Sequence, residues 1–188
     1  GINMLSDLLD TTRVKMEKTL AVLKDEFAHI RTGRASSVLV DRIKISYYGA
    51  LTPLKQVANI SIPESNLIVI QPWDKNCLSE IEKAIWKSDL GLAPSVDGNI
   101  IRLTIPSLNE ERRKELVKLI KKEAENGKIS IRNIRREMND LIKKDEKEHN
   151  ISEDECKNYQ NKIQILTDKY TENIDKLLKL KEKEIMEV

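Results

Sequence analysis

Apolar residues recur through residues 4–30 at steps of mostly four and three: Leu5, Leu9, Met16, Leu20, Leu23, Phe27 and Ile30, with Thr12 filling one step. That spacing paints a single stripe along one helix. A longer stripe runs Val117, Ile120, Ala124, Gly127, Ile131, Ile134, Met138, Leu141, in steps of 3, 4, 3, 4, 3, 4, 3. A mean period of 3.5 marks a seam made for partner helices. Ser107 or Asn109 can cap this helix, and Glu110 and Glu111 suit the positive end of its dipole. Unbroken to His149, it spans about 60 Å. A third stripe, Tyr159, Ile163, Leu166, Tyr170, Ile174, Leu177 and on to Ile185, follows Ser152 and Glu155, which are spaced as a capping box. The link at His149 and Asn150 is short, so the second and third helices are expected to be antiparallel neighbours. No stripe can be buried alone. The expected solution is an antiparallel three-helix bundle of residues 4–30 and 107–188.

Between the first two helices the pattern changes. Ile43, Ile45 and Tyr47 alternate with Lys44, Ser46 and Tyr48, a strand signature. Leu67, Ile68, Val69 and Ile70 form a compact apolar run, and Ile100, Ile101, Leu103 and Ile105 read as another strand. LSEIEKAIWKSDLG places Leu78, Ile81, Ile85 and Leu90 at roughly helical spacing, with Gly91 as its C-cap. Four of the five prolines fall in this segment. Residues 36–105 are therefore expected to form a small inserted α/β domain, rich in strand, and the whole chain an α+β fold. Its connections to the bundle, near 31–35 and 105–107, are expected to act as hinges, through Arg34, Ala35, Ser36 and Pro106. Gly1, Ile2 and Asn3 precede the first methionine, Met4, and are set aside from this reading.

Composition narrows the chemistry. Charged residues make up 34% and aromatics 4%, which suits long surface-charged helices. The two cysteines, Cys77 and Cys156, have no CxxC spacing, so a reducing cytoplasm and free thiols are expected. No apolar run reaches the roughly 20 residues of a membrane-spanning helix. Phosphate-binding glycine loops and HExxH are absent. His29 and His149, at the ends of different helices, read as surface residues. Trp73 and Trp86 read as core packing of the small domain. Of the pair Tyr47 and Tyr48, one faces the core if both lie on a strand. No enzyme constellation emerges, and no metal or cofactor is called for.

Charge distribution says more than net charge, which is only +2. From 112 to 136 the chain carries ten basic residues against three acids, a net of +7. Lys118, Lys121, Glu125, Lys128, Arg132, Arg135 and Asn139 each follow a seam position by one residue. They form a ribbon beside the apolar stripe. Charged flanks are usual for such a seam. Here, though, like charges sit three and four apart, which costs a few tenths of a kcal/mol per pair. Arginine forks suit phosphate. A polyanion such as RNA is the leading expectation, and an acidic protein bound by a helical adaptor is the alternative.

Several segments, taken in order, resemble ribosome recycling factors: IRTGRAS (30–36), YYG followed by TPL (47–54), EKAIWKSDLGL (82–92), LNEERRKEL (108–116) and SIRNIRREMND (130–140). ISEDE at the start of the last helix fits as well. Trp86 stands where the family pattern has a smaller residue. The resemblance implies an L-shaped molecule, a three-helix bundle with a hinged small domain. It implies binding rather than catalysis: docking on large-subunit ribosomal RNA after peptide release, then splitting of the subunits with elongation factor G. GTP is used by that partner, so no cofactor belongs to the chain itself. The RNA-facing residues it implies are Arg135 above all, then Arg132 and Arg136, with Arg31 and Arg112 as further candidates; the charge ribbon adds Lys128 to this set. A cytoplasmic monomer with no membrane partner is expected.

Overall fold

The structure, a computed structural model, describes residues 2–187. Gly1 lies outside the described residues, while Ile2 and Asn3 open the first helix. Helix α1 is Ile2–Ala28, α2 Leu78–Lys87, α3 Glu110–Lys147 and α4 Glu153–Met186. The strands are β1 Lys44–Tyr47, β2 Ala50–Pro53, β3 Ala58–Glu64, β4 Leu67–Pro72, β5 Ser95–Asp97 and β6 Ile100–Thr104. Strands β1 and β2 pair as a hairpin, and the other four form an antiparallel sheet in the order β3-β4-β6-β5. The chain divides into two compact units, residues 2–27 with 114–184 and residues 28–113 with 185–187.

The first unit packs α1, α3 and α4. Helices α3 and α4 start where the sequence supplies acceptors for unpaired amides. The Arg112 amide donates to Asn109 Oδ1 at 2.7 Å, so Asn109 rather than Ser107 caps α3. At α4 the Glu155 amide donates to Ser152 Oγ at 3.0 Å, and the Ser152 amide to Glu155 Oε1 at 3.4 Å. That is the reciprocal capping box the spacing predicts. Leu5 of α1, Met138 and Ile142 of α3, and Ile151, Cys156 and Ile163 form one buried cluster. Further along, Gly127 lies between Ile174 of α4 and Leu23 of α1; a Cβ there would meet a methyl of each at 3.4 Å. Thr12 is fully buried in the α1 stripe because its hydroxyl donates back to the Leu8 carbonyl at 2.7 Å. Tyr170, also buried, reaches from α4 to α1, where its hydroxyl donates to Glu17 at 2.7 Å.

The stripe of α3 departs from the strict 3.5 period. Leu141 is 43% exposed, and Ile142 is buried in its place. At the other end Leu116 is buried, while Val117 is only half-buried. A straight helix turns 3.6 residues per turn, so a strict heptad drifts by about 20° each repeat. Over the length of α3 the drift moves the buried line to the next residue.

The turn between α3 and α4 is a Schellman motif. The Asn150 amide donates to the Asp145 carbonyl at 2.9 Å and the His149 amide to the Glu146 carbonyl at 3.0 Å. His149 takes φ +60, the left-handed position that favours glycine. Replacing His149 by Gly is expected to stabilise the protein by about 0.5–1 kcal/mol, through relief of Cβ strain. Thermal melting checks it, with an expected gain of about 1–4 °C.

The second unit has its own core: Ile45, Leu54, Ile68, Ile70, Ile81, Ile85, Ile101 and Leu103 are among its buried residues. Three strands beyond those read from the sequence are present, β2, β3 and β5. The tyrosine pair is split by the β1–β2 turn. Tyr47 ends β1 and packs on the core, while Tyr48 is 86% exposed with φ +48. Trp73 and Trp86 are not core residues; they are 67% and 60% exposed. Ile68, Ile70 and Pro72 point inward from β4, so Trp73, one residue later, points out. Helix α2 buries Ile81 and Ile85, and Trp86 lies a further 100° around it. That helix ends at Lys87 with Ser88 extended, so Gly91, at φ +66, serves a later turn and is not its cap. His29 is likewise not a free surface residue: its side chain is 12% exposed and its Nε2 lies 2.6 Å from Asp41 Oδ1.

Candidate nucleic-acid interface

Helix α3 sets the candidate face. Residues one position after the buried stripe lie about 100° around the helix from it. Of the ribbon, Lys128, Arg132 and Arg135 are half-buried at its inner edge, and Arg136 is exposed at its outer edge. Burying Ile131 and Met138 fixes which way these cations face. Arginine stems then cover the edge of the core while their heads stay wet.

Part of the ribbon is neutralised within the first unit. Lys128 Nζ lies 2.5 Å from Asp175 and Lys121 Nζ 4.0 Å from Glu182, both on α4. Arg132 pairs with Glu125 on α3 itself, at 2.9 Å. Arg135 differs: its Nη1 donates to the amide oxygen of Gln164 at 3.4 Å, and it has no ion pair among the described residues. Neither do Lys118 and Arg136. So the ribbon keeps its charge at Lys118, Arg135 and Arg136, and shares it with acids at Lys121, Lys128 and Arg132. The heptad spacing of α4 hints at Asp175 and Glu182 as acids on a neighbouring helix, but not at which cations they meet. Gln164 carries no charge and gives no signal.

The remaining candidates belong to the second unit. Arg31 is half-buried and Arg112 exposed, on the first turn of α3. Of the expected hinge residues, Arg34 and Pro106 are exposed. Ser36 caps a short 3-10 turn, accepting from the Val38 amide at 3.3 Å. The Ala35 amide donates to the Ser65 carbonyl and the Ile105 amide to the Asn66 carbonyl, each at 2.7 Å. The two-residue β3–β4 turn therefore ties down both segments. Gly33 lies beside Ser107 and Leu108, with its Cβ position 3.9 Å from each backbone.

Both thiols are buried. Burial pushes Cys77 up from its ordinary pKa. Burial, with a hydrogen bond to Glu146, pushes Cys156 up to about 11. Neither is poised as a nucleophile at neutral pH. The described residues hold no cluster of three or more potential metal ligands. No helix among them is long and apolar enough to cross a membrane.

A bundle of long helices and an inserted antiparallel sheet unit define a mixed α+β protein of two units. The sequence pattern of the family described as ribosome recycling factor matches residues 23–186. Ribosome-recycling factors of Desulforamulus reducens and Bacillus subtilis are 52% and 51% identical over 185 residues, covering 98% of this chain and all of each relative. A solution structure of the ribosome recycling factor matches with a TM-score of 0.83 at 48% identity, covering 98% of both chains. A second solved structure, at TM-score 0.66 and 46% identity, covers 97% of this chain and 99% of its own. It is described as models for the T. thermophilus ribosome recycling factor and the E. coli elongation factor G bound to the E. coli post-termination complex. The chain belongs to the ribosome recycling factor family. It is a translation factor and not an enzyme.

Proposed function

We propose that this chain docks on large-subunit ribosomal RNA of the post-termination ribosome through the α3 ribbon. With elongation factor G and GTP it then splits the subunits, so that mRNA and tRNA leave. It holds no cofactor; the GTP is hydrolysed by the partner. It works as a cytoplasmic monomer. Arg135, Arg132, Arg136 and Lys128 form the main RNA contact, with Arg31 and Arg112 adding to it. The two connections that flex run through Arg34 and Pro106, both exposed, with Ala35 and Ser36 as the anchored edge of the first of them.

The observation that carries this reading is the +7 segment on a helix whose buried stripe fixes the direction of its arginines. Arg135 bears its full charge on that face, beside a neutral amide. The association of a 46% identical relative with elongation factor G on the post-termination complex supports the choice of partner.

A polysome-splitting assay with elongation factor G and GTP tests the reading. Arg135→Ala is expected to lower both splitting and large-subunit binding about tenfold, as removal of one phosphate-binding cation predicts. Its melting temperature should stay within about 2 °C of wild type, because Arg135 has one long hydrogen bond to lose. Wild-type splitting by the variant would overturn the assignment of Arg135. Failure of the wild-type chain to split polysomes, with binding lost to any acidic protein competitor, would favour the adaptor alternative.

A further inference from the structure

We propose that Gln164 of α4 is a positioning residue, which orients Arg135 toward RNA while leaving its charge intact. The inference rests on the RNA-docking reading given above. Three ribbon cations have acidic partners: Lys121 with Glu182, Lys128 with Asp175 and Arg132 with Glu125. Such pairing holds a side chain in place but cancels its field toward an incoming phosphate. Arg135 is held instead by a carbonyl oxygen, at 3.4 Å from Nη1.

The amide that holds it is itself held. Gln164 Nε2 donates to Asp168 Oδ1 at 2.9 Å, one helical turn further along α4. A carboxylate can only accept, so it takes the NH2 side of the amide and leaves the oxygen for the guanidinium. The orientation of Gln164 is thereby fixed by Asp168. The carboxylate charge stays one amide away from Arg135, with no ion pair formed between the two. Arg135 has five N–H donors in a rigid fork, and Gln164 uses one. The other donors remain for a phosphate. The arrangement steers Arg135 through one long hydrogen bond without neutralising it.

Substitution at Gln164 separates the two effects. Gln164→Met keeps the size and leaves Arg135 charged but unheld. Gln164→Glu keeps the acceptor and neutralises Arg135. Purified bacterial large ribosomal subunits are the probe, with binding measured across a salt series. Gln164→Glu is expected to bind about tenfold more weakly, with the log–log salt slope reduced by about 1, as if one phosphate contact were gone. Gln164→Met is expected to bind about two- to threefold more weakly with an unchanged slope, since charge is retained and only order is lost. Asn161→Glu, an added acid one turn earlier on α4, controls for net charge and is expected to leave the slope unchanged. Both Gln164 variants should melt within about 2 °C of wild type, as exposed sites do.

Wild-type affinity and slope in Gln164→Glu, with Arg135→Ala weakened, would overturn the role of Gln164 and leave the docking reading standing. Equal losses in Gln164→Glu and Asn161→Glu would also overturn it, because net charge alone would then explain both. Wild-type binding by Arg135→Ala would overturn the assignment of Arg135 and the role of Gln164 with it, whereas a flat salt response of the wild-type chain would overturn the docking reading itself.

Discussion

Raising the pH from 8 to 12 is expected to remove several kcal/mol of stability from the bundle through two buried groups. Burial, reinforced by its hydrogen bond to Glu17, pushes Tyr170 up to about 12 from an ordinary 10. Cys156 is pushed up to about 11 from 9. In each case the folded-state pKa lies above the unfolded one, so folding favours the neutral form. The contribution is complete below the unfolded values and is lost as pH climbs through the window from 9 to 12. A shift of about two units corresponds to roughly 2–3 kcal/mol for each group. Urea unfolding at pH 8, 10 and 12 measures the loss. Tyr170→Phe combined with Cys156→Ala should start less stable at pH 8, because it loses a cross-helix hydrogen bond and buried volume. It should then decline much less up to pH 12. A decline as steep as that of wild type would assign the alkaline response to other groups.

Removing Arg132, Arg135 and Arg136 together by alanine is expected to weaken large-subunit binding about a hundredfold or more at moderate salt. Every phosphate left without its arginine also lowers the salt slope by about 1. The three arginines should not contribute equally. Arg132 is already paired with Glu125 at 2.9 Å, so its removal also frees an acid on the proposed docking face. Arg136 is exposed and Arg135 is held by a neutral amide, so their charges are undiminished. Single variants should therefore rank Arg135 and Arg136 ahead of Arg132 in their effect on slope. Filter binding to large subunits at 50–300 mM salt provides the series, with circular dichroism confirming the fold. A flat salt response in the wild-type chain would remove the electrostatic basis of the docking reading.

The helices are legible in the sequence because their stripes are long and their caps are local. The spacing of Ser152 and Glu155 implies two hydrogen bonds, and both are made. A fixed 3.5 period misplaces the α3 stripe by one residue at Leu141, because it accumulates drift that a straight helix does not share. The small unit is less legible. Strands β2, β3 and β5 are short or polar on one side, and although each pairs with its sequence neighbour across a two-residue turn, their own alternation is too weak to mark them. Residue type alone puts Trp73 and Trp86 in the core, and phase puts them outside it. Alternation from Ile70 and Pro72 places Trp73 outward, and the period of Ile81 and Ile85 does the same for Trp86. At the candidate site the ribbon is visible in the sequence, but its partial neutralisation is not. Which cations meet Asp175 and Glu182 depends on how α3 and α4 are aligned along their lengths, which no local pattern encodes.

One unit is built from chain on both sides of the other, and this bears on the order of folding during synthesis. Residues 28–113 follow one another without interruption and carry almost all of the second unit. Helix α1, made before α3 and α4, has Leu5, Met16, Leu23 and Phe27 to bury, and the helices that cover them begin only after residue 109. At about 5–20 residues per second, α1 waits roughly 5–15 s with its apolar stripe uncovered. The sheet unit can close in that interval, since its strand pairings are complete once β6 is made. The bundle closes last, when α4 folds back along α3. The nascent chain is therefore exposed longest along the apolar stripe of α1.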